Sequence, residues 1–314
     1  VKIFRDIVEI PKKYQHAVIT LGNFDGLHLG HRAIIAEAKA IAKAKSLPLA
    51  LMTFEPHPRE FFAKEKSKEG LRIYNLRNKL IAIKLLGIEC VFLIRFNEQF
   101  ANLSSHDFIK NILVDKLHVR HVITGENFYF GKNRQGNKDS MMQEAAAFAF
   151  NYTACSQVID NGNIAISSSN IRDLLKQGNV KKAAILLEQP YHISGRVKHG
   201  EGRGEKLGFP TANIPLAKLF LPKFGVYAVR VKIDGEDKIY NAIANLGVKP
   251  TFGIYSPLLE VHLFDTTQNL YGKKLCIDFV EFIREEQKFS SLDNLKTQIA
   301  IDCEKAKNIL SSKP

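Results

Sequence analysis

Two histidines three residues apart, His28 and His31, stand in the run "ITLGNFDGLHLGHRAII" (residues 19–35), between a β-type stretch and an Ala-rich helical pattern. Imidazoles can ligate a metal, donate to phosphate oxygens, or do neither. A zinc-type site needs a third and a fourth ligand, and this neighbourhood offers no H-E-x-x-H, no Cys and only Asp25 as a nearby carboxylate, so metal is the weakest reading. Turn histidines without a role are a fair reading for one His and a poorer one for two beside glycines in a strand-to-helix turn. A helix N-terminus has free backbone N–H groups that attract anions. Imidazoles placed there can donate to phosphate oxygens and stabilise charge that develops in phosphoryl or nucleotidyl transfer. The phosphate grip is the best of the three.

A second stretch of the same character is "GRVKHGEGRGEKLGFPTANI" (195–214), with glycines at 195, 200, 202, 204 and 208 and basic Lys198, Arg203 and Lys206. Glycines let backbone N–H groups approach phosphates, but hairpin turns use glycine too, and no G-K-[ST] follows that would make a Walker loop. Three other stretches fall where chemistry could sit. "ISSSNIR" (166–172) alone reads as an N-capped helix with a surface Arg, while "TFEPHPREFF" (53–62) and "TGENFYFGKNRQG" (124–136) lie at the ends of predicted strands. Glu260, inside "LLEVHLFD", could be an outward-facing solvated residue of an apolar strand.

The elements that must position these residues fall into two groups. From residue 16 to about 189, apolar runs alternate with helical patterns: "AVITL" (17–21) before a helix over 30–45, "LALMTF" (49–54) before one near 75–86, "CVFLIRF" (90–96) before 105–117, and "HVITG" (121–125) before 139–150. This predicts a doubly wound parallel sheet, a Rossmann-like α/β domain that binds ligands at the C-terminal ends of its strands. Two more helices follow over 167–178 and 179–189. From "EQPYHISGRV" (188–197) onward, short alternating runs, "GVYAVRVKI", "IYNAIANLGV", "LLEVHLF" and "KLCIDFVEFI", are separated by the turns "DGED", "KPTFG" and "LYGKK". Closely spaced strands with no helix between them predict an antiparallel β-barrel or sandwich. A terminal helix over 291–310 has Ser290 or Ser291 as cap and a stripe of Leu292, Leu295, Ile299, Cys303, Ala306 and Leu310. The domains predicted are 1–187 and 188–314.

At 314 residues, a division into about two domains is expected from length alone. No run approaches the roughly 18 apolar residues of a membrane span, and the start "VKIFRDIVEIPKK" lacks a secretory h-region, so only an initiator Met is expected to be missing. Cys90, Cys155, Cys276 and Cys303 are far apart and read as reduced core residues of a cytoplasmic protein. A net charge of +13 favours polyanionic partners, nucleic acid or phosphate-rich small molecules, although solvated helix faces such as "AKAIAKAKS" account for part of it.

"GNFDGLHLGH" resembles the H-x-G-H signature of the nucleotidyltransferase superfamily, and "ISSSNIR" is similar to the I-S-S-T-x-I-R element of its FAD synthetase branch, with Ser169 in place of the usual Thr. "GFPTAN" resembles the P-T-A-N signature of riboflavin kinase, and "NLGVKPTFG" with "LLEVHLFD" follows that family's next blocks. Over about residues 16–310 the chain thus resembles the bacterial bifunctional riboflavin kinase/FAD synthetases. The resemblance implies phosphorylation of riboflavin to FMN by the C-terminal domain, and adenylylation of FMN to FAD with release of pyrophosphate by the N-terminal one. It implies ATP contacts at Gly22, Phe24, Asp25, Gly30, Asn127, Ser168, Ser169 and Arg172 in the first domain, with His28 and His31 catalytic. Pro56, Pro58, Phe62 and Phe128 would border the flavin, where rings beside rigid prolines suit a flat isoalloxazine. In the second domain it implies ATP contacts at Gly200, Gly204, Lys206 and Gly208, Mg²⁺ held by Thr211 and Asn213, Glu260 as the proton acceptor, and Arg284 on the ligand side. Relatives often carry Asp at the position of Asn127. The expected partners are riboflavin, FMN and ATP, with no nucleic acid and no membrane. An adenylyl acceptor such as pantetheine phosphate or nicotinamide mononucleotide is the second reading, against which the "PTAN" domain speaks. A basic nucleic-acid binder, motivated by the charge, lacks a reader motif.

Overall fold

The computed structural model describes residues 1–5, 7, 9–63, 70–160, 162–200, 204, 208–216, 219–251 and 254–311, without the side chains of 249–251 and 254–256. It forms two compact units, Val1–Ser168 and Ser169–Pro314.

The first unit is built on strands β1 (Lys2–Phe4), β2 (Val18–Leu21), β3 (Leu49–Glu55), β4 (Cys90–Arg95), β5 (His121–Gly125) and β6 (Asn151–Cys155), in the order β1-β4-β3-β2-β5-β6, every pair parallel. The inner strands are buried along nearly their whole length, as expected for a parallel sheet covered on both faces. Alternate side chains go to opposite sides. Val18, Leu49, Leu51, Val91 and Leu93 pack with Ile35 and Ala38 of α1 (Leu29–Lys45) and Ile83 of α3 (Leu76–Leu85). Ile19, Leu21, Ala50, Met52 and Phe92 pack with Phe108, Ile109 and Ile112 of a π-helical stretch, Phe108–Val114, and with Met141 and Ala145 of α6 (Lys138–Ala147). Between α3 and α6 lie two short helices, α4 (Glu98–Ala101) and α5 (Ser105–Asp107). The helix anticipated over 105–117 is therefore a short α-turn running into π geometry. Residues 58–62, with no helix anticipated, form the one-and-a-half-turn α2 (Pro58–Phe62).

The strand order turns back between β2 and β5, so their C-terminal ends open a crevice at the topological switch point. The histidine turn leaves β2 there and "TGENFYFG" leaves β5.

The second unit begins with α7 and α8. α7 is Ser168–Lys176, whose first residue closes the first unit, and α8 is Val180–Leu187, capped by Asn179. Strands β7 (His192–Arg196), β8 (Ala212–Pro215), β9 (Gly225–Ile233), β10 (Ile239–Thr251), β11 (Ile254–Leu263) and β12 (Lys274–Arg284) follow, in the antiparallel order β7-β12-β9-β10-β11-β8. A bridge between Lys198 and Asn213, with Lys198 N–H donating to the Asn213 carbonyl at 2.9 Å, brings the two edges together and nearly closes a barrel. The registers put Ile193, Ala212, Val229, Val231, Ala242, Leu259, Val261, Ile277 and Phe279 on one buried face. On the opposite face, Val226, Ala228 and Ile243 are covered by Cys303, Ala306 and Leu310 of α9 (Leu292–Ser311). Ser291 caps this helix by accepting the Asn294 N–H at 3.2 Å. The anticipated stripe holds except at its start, where Leu292 is 70% exposed along with Asp293 and Asn294 in the first turn of α9. The cysteines are all free, but only Cys90 and Cys303 are core residues; Cys155 and Cys276 are half-buried, on a sheet-edge strand and the outward face of the barrel.

Gly225 opens β9 at φ +147, and a Cβ there would collide with the Arg284 carbonyl and the Phe282 ring at the irregular β9–β12 pairing. Gly225→Ala is expected to destabilise the second unit by about 2 kcal/mol or more. Gly235→Ala, at φ +87 with nothing within 4 Å, is expected to cost only about 1 kcal/mol. Urea unfolding of the two variants checks the difference.

Candidate active sites

β2 ends in a turn that cannot be regular. Phe24 (φ 49), Gly26 (φ 82) and Leu27 (φ 44) all lie in the left-handed region, and His28 then stands at the N-cap of α1 without a side-chain cap bond. The turn is held from behind. The Asp25 carboxylate, 3% exposed, accepts the Ile73 N–H at 3.0 and 3.1 Å and the Tyr74 N–H at 3.2 Å. The Ser168 hydroxyl donates to the Asp25 carbonyl at 2.9 Å. The Asn23 carbonyl accepts from the Thr53 hydroxyl at 3.1 Å and from the Lys79 ammonium at 3.3 Å.

On this base the His28 and His31 rings stack, with centroids 3.7 Å apart, and Phe24 covers His31 at 5.1 Å. Gly30 leaves room for them, since a Cβ there would come within 3.1 Å of the Ile166 carbonyl and 3.2 Å of the His28 ring. Gly22 faces Phe24 in the same way, at 3.1 Å. His31 Nδ1 is buried and has no hydrogen-bond partner among the described residues. Burial, then the charges of His28 and Lys79, hold its imidazole well below the usual histidine range. At neutral pH it is thus an uncharged imidazole at a helix N-terminus, able to donate from one ring nitrogen. Among the described residues no group of three or more His, Cys, Asp or Glu could hold a metal.

The structure thus brings Gly22, Phe24, Asp25, His28, Gly30, His31 and Ser168 together. Pro56 and Pro58 follow β3, and Asn127 and Phe128 follow β5, so both segments flank the β2 turn at the strand ends. Asn127 is exposed, Phe62 is 64% exposed, and Phe128 packs partly against the core and stacks on Phe130 at 5.7 Å. Ser169 and Arg172 belong to the second unit, where the Arg172 guanidinium lies 6.0 Å from the centre of the Phe220 ring.

Sequence reasoning missed the layer beneath the turn. Arg72 bonds Glu55 at 2.8 and 2.9 Å and also pairs with Glu60, which braces the segment carrying Pro56 and Pro58. Lys79, 4% exposed, donates to Thr53 at 3.0 Å. "RNKLIAIKLL" reads as an amphipathic helix with solvated lysines, and the only hint was an unremarkable Lys four residues after its cap, Asn75.

In the second unit the strand register aligns a polar row: Glu260 pairs with Asn245 on one side and with Asn213 on the other. The row lies on the outward face, opposite Leu259 and Val261, yet Glu260 is not on open surface. With Thr211, Asn245, His262 and Arg284 it lines a cavity of about 390 Å³, roofed by Phe289, Leu295 and Ile299. The Arg284 Nε and Nη2 each donate to one oxygen of the buried Asp302 at 2.8 Å, and Gln298 bonds the other at 2.9 Å. The Asn213 Oδ1 is buried with no hydrogen-bond partner among the described residues. A Cβ at Gly200 would strike the Asn213 amide, and one at Gly204 the Phe209 carbonyl, so each of these positions needs a glycine for the backbone to come this close. His262 bonds the Pro210 carbonyl at 2.8 Å and fixes the start of the "PTAN" strand to β11. Gly208 is exposed at φ +88. Gly202, Arg203 and Lys206 lie outside the described residues.

Comparison with known proteins agrees on both halves. Residues 10–170 match the family model described as FAD synthetase, and residues 187–310 the one described as riboflavin kinase. The chain is 39% identical to the bifunctional riboflavin kinase/FMN adenylyltransferase of Escherichia coli K12, over 96% of this chain and 95% of that protein. It is 40% identical to the protein of the same description from Bacillus subtilis 168, over 95% and 93%. A solved structure from Streptococcus pneumoniae, described as a macrolide-efflux protein, superposes with a TM-score of 0.85 at 30% identity over 98% of each chain. No helix among the described residues here is long and apolar enough to cross a membrane.

The desolvated His31 makes a pH prediction. Its folded-state pKa lies below the unfolded value of 6.5, so as pH falls through 6.5 the unfolded chain takes up a proton that the folded one does not, and stability is lost. The urea midpoint of the first unit is expected to drop between pH 7 and about pH 5, and His31→Gln is expected to flatten that drop.

Proposed function

The chain belongs to the bifunctional riboflavin kinase/FMN adenylyltransferase family and makes FMN from riboflavin and FAD from FMN, and from this premise we propose which residues carry each step. The observation that supports the assignment most strongly is the buried nitrogen of His31, unpartnered among the described residues, in a stacked histidine pair at the N-terminus of α1.

In adenylylation, a phosphate oxygen of FMN attacks the α-phosphorus of ATP, a P–O–P bond forms, and the bond from that phosphorus to the leaving pyrophosphate breaks. His28 and His31 donate to the phosphate oxygens on which charge accumulates, and the α1 N-terminus adds its N–H groups. No covalent intermediate with the protein is needed. Gly22, Phe24, Asp25, Gly30, Asn127, Ser168, Ser169 and Arg172 hold ATP, while Pro56, Pro58, Phe62 and Phe128 border the flavin. The exposure of Phe62 and Asn127 leaves both accessible to ligand.

In phosphorylation, Glu260 accepts the proton of the ribityl 5′-hydroxyl as that oxygen attacks the γ-phosphorus and ADP leaves. The apolar roof of Phe289, Leu295 and Ile299 suits the flavin ring, and Arg284, held by Asp302, supplies a fixed donor at its edge. Gly200, Gly204, Lys206 and Gly208 belong to the loop that takes the ATP phosphates. Thr211 and Asn213 would hold Mg²⁺: an amide oxygen unpaired among the described residues and a hydroxyl are the hard oxygen donors this ion prefers. Bound there, the ion would neutralise charge on the transferred phosphate.

We assign the catalytic domains to 1–187 and 188–314, a division supported by the start of the riboflavin kinase match at residue 187. The net charge of +13 is read as serving phosphate-bearing small molecules in the cytoplasm, with no role for nucleic acid or a membrane.

Glu260→Ala is expected to abolish FMN formation and leave FMN-to-FAD conversion within about twofold of wild type, and His31→Ala to do the reverse, with losses of about a hundredfold or more. Separate assays starting from riboflavin and from FMN check this. Joint loss of both activities in either folded variant would contradict two independent sites.

A further inference from the structure

Behind the histidine turn lies a buried cation that neither reaction step uses. The Lys79 ammonium donates to the Thr53 hydroxyl and the Asn23 carbonyl, and Thr53, fully buried, donates to that same carbonyl. A buried ammonium is costly unless partners replace its water, and here those partners belong to the turn itself and to the strand beside it. Asn23 enters the turn. The next residues, Phe24 and Leu27, hold left-handed conformations that non-glycine residues keep only where their surroundings over-determine them. Oppositely charged groups face the ammonium from three elements: Asp25 in the turn, Glu55 on β3 and Glu60 on α2; Arg72 opposes them. From α1, His31 feels the Lys79 charge in turn.

We propose that Lys79 is a positioning residue for adenylyl transfer: its buried ammonium fixes the Asn23 carbonyl, and through it the turn that presents His28 and His31 to the α-phosphate of ATP. This rests on the reading of the histidine pair as the adenylylation site. A neutral side chain of similar length fills the space but leaves the carbonyl one donor short and the buried Asp25 without the facing charge. The histidines then sit in a turn free to relax, and the interactions lost are those made in the transition state. Burial brings the Lys79 ammonium down to about 8, so its charge is lost as pH rises through a range that assays reach.

The test is Lys79→Met and Lys79→Arg in the full chain, each assayed for both reactions and checked for folding by near-UV circular dichroism. Lys79→Met is expected to lower the kcat of FMN-to-FAD conversion about tenfold, with the KM for ATP within about threefold and riboflavin phosphorylation within about twofold of wild type. Wild-type kcat/KM for adenylylation is expected to decline above about pH 8. Lys79→Arg is expected to recover most of the rate and lose that alkaline decline, because its guanidinium stays charged. Wild-type kcat in folded Lys79→Met would overturn the proposal, as would the same alkaline decline in wild type and Lys79→Arg. If Lys79→Met does not fold, the second comparison decides. The His31→Ala variant separates the two levels. Adenylylation retained there overturns the underlying site, whereas loss there with full activity in Lys79→Met overturns the Lys79 role alone.

Discussion

A turn proposed to grip phosphate must leave its N–H groups facing the ligand, so its carbonyls and its unusual backbone angles have to be held from the other side. In the first unit that hold is a set of buried polar contacts. Asp25 takes two backbone N–H groups from residues 73 and 74, Ser168 takes the Asp25 carbonyl, and Thr53 and Lys79 share the Asn23 carbonyl. Each contact joins residues far apart in the chain. The sheet is what makes them possible, because β2 and β3 are parallel neighbours and the α3 crossover returns over them. Remove the order of the strands and the histidines have no platform.

The second unit meets the same constraint with a different scaffold. Gly200 lies against the Asn213 amide and Gly204 against the Phe209 carbonyl because neither carries a side chain that would collide there. The antiparallel register then sets Asn213, Glu260 and Asn245 in one row. The proposed proton acceptor and the proposed metal ligand are thus adjacent by strand pairing alone, whereas in the first unit loops and helices do the work. The cavity lies on the barrel's outward face, where Glu260 and Asn245 line it together with Leu295 and Ile299 of α9.

Much of this was legible in the sequence, and the omissions have a common physical cause. The inner strands β2 to β5 and β9 to β12 announce themselves as long apolar or alternating runs because they are buried on one face or both. The four strands missed, β1, β6, β7 and β8, are the edges of their two sheets. Edge strands are short, so "KIF", "NYTAC", "HISGR" and "ANIP", of three to five residues, carry little periodic signal. The histidine turn, "GFPTAN" and Glu260 were visible because their residue types and order are distinctive. Arg72 and Lys79 were not, since the partners that bury them, Glu55, Glu60, Thr53 and Asn23, are remote in sequence. A lysine on an amphipathic helix is ordinarily solvated, and only the tertiary fold makes this one an exception.

The central claim is that the His28–His31 pair is built in advance to receive a phosphate. Its most direct test is a nitrogen-15 NMR titration of the histidine rings with a non-hydrolysable ATP analogue and Mg²⁺, with assignments from His28→Gln and His31→Gln. The account predicts that both ring signals move together in step with saturation, while the backbone signals of the turn stay nearly in place. Unmoved His28 and His31 rings at an analogue concentration that fully blocks FAD formation would contradict it.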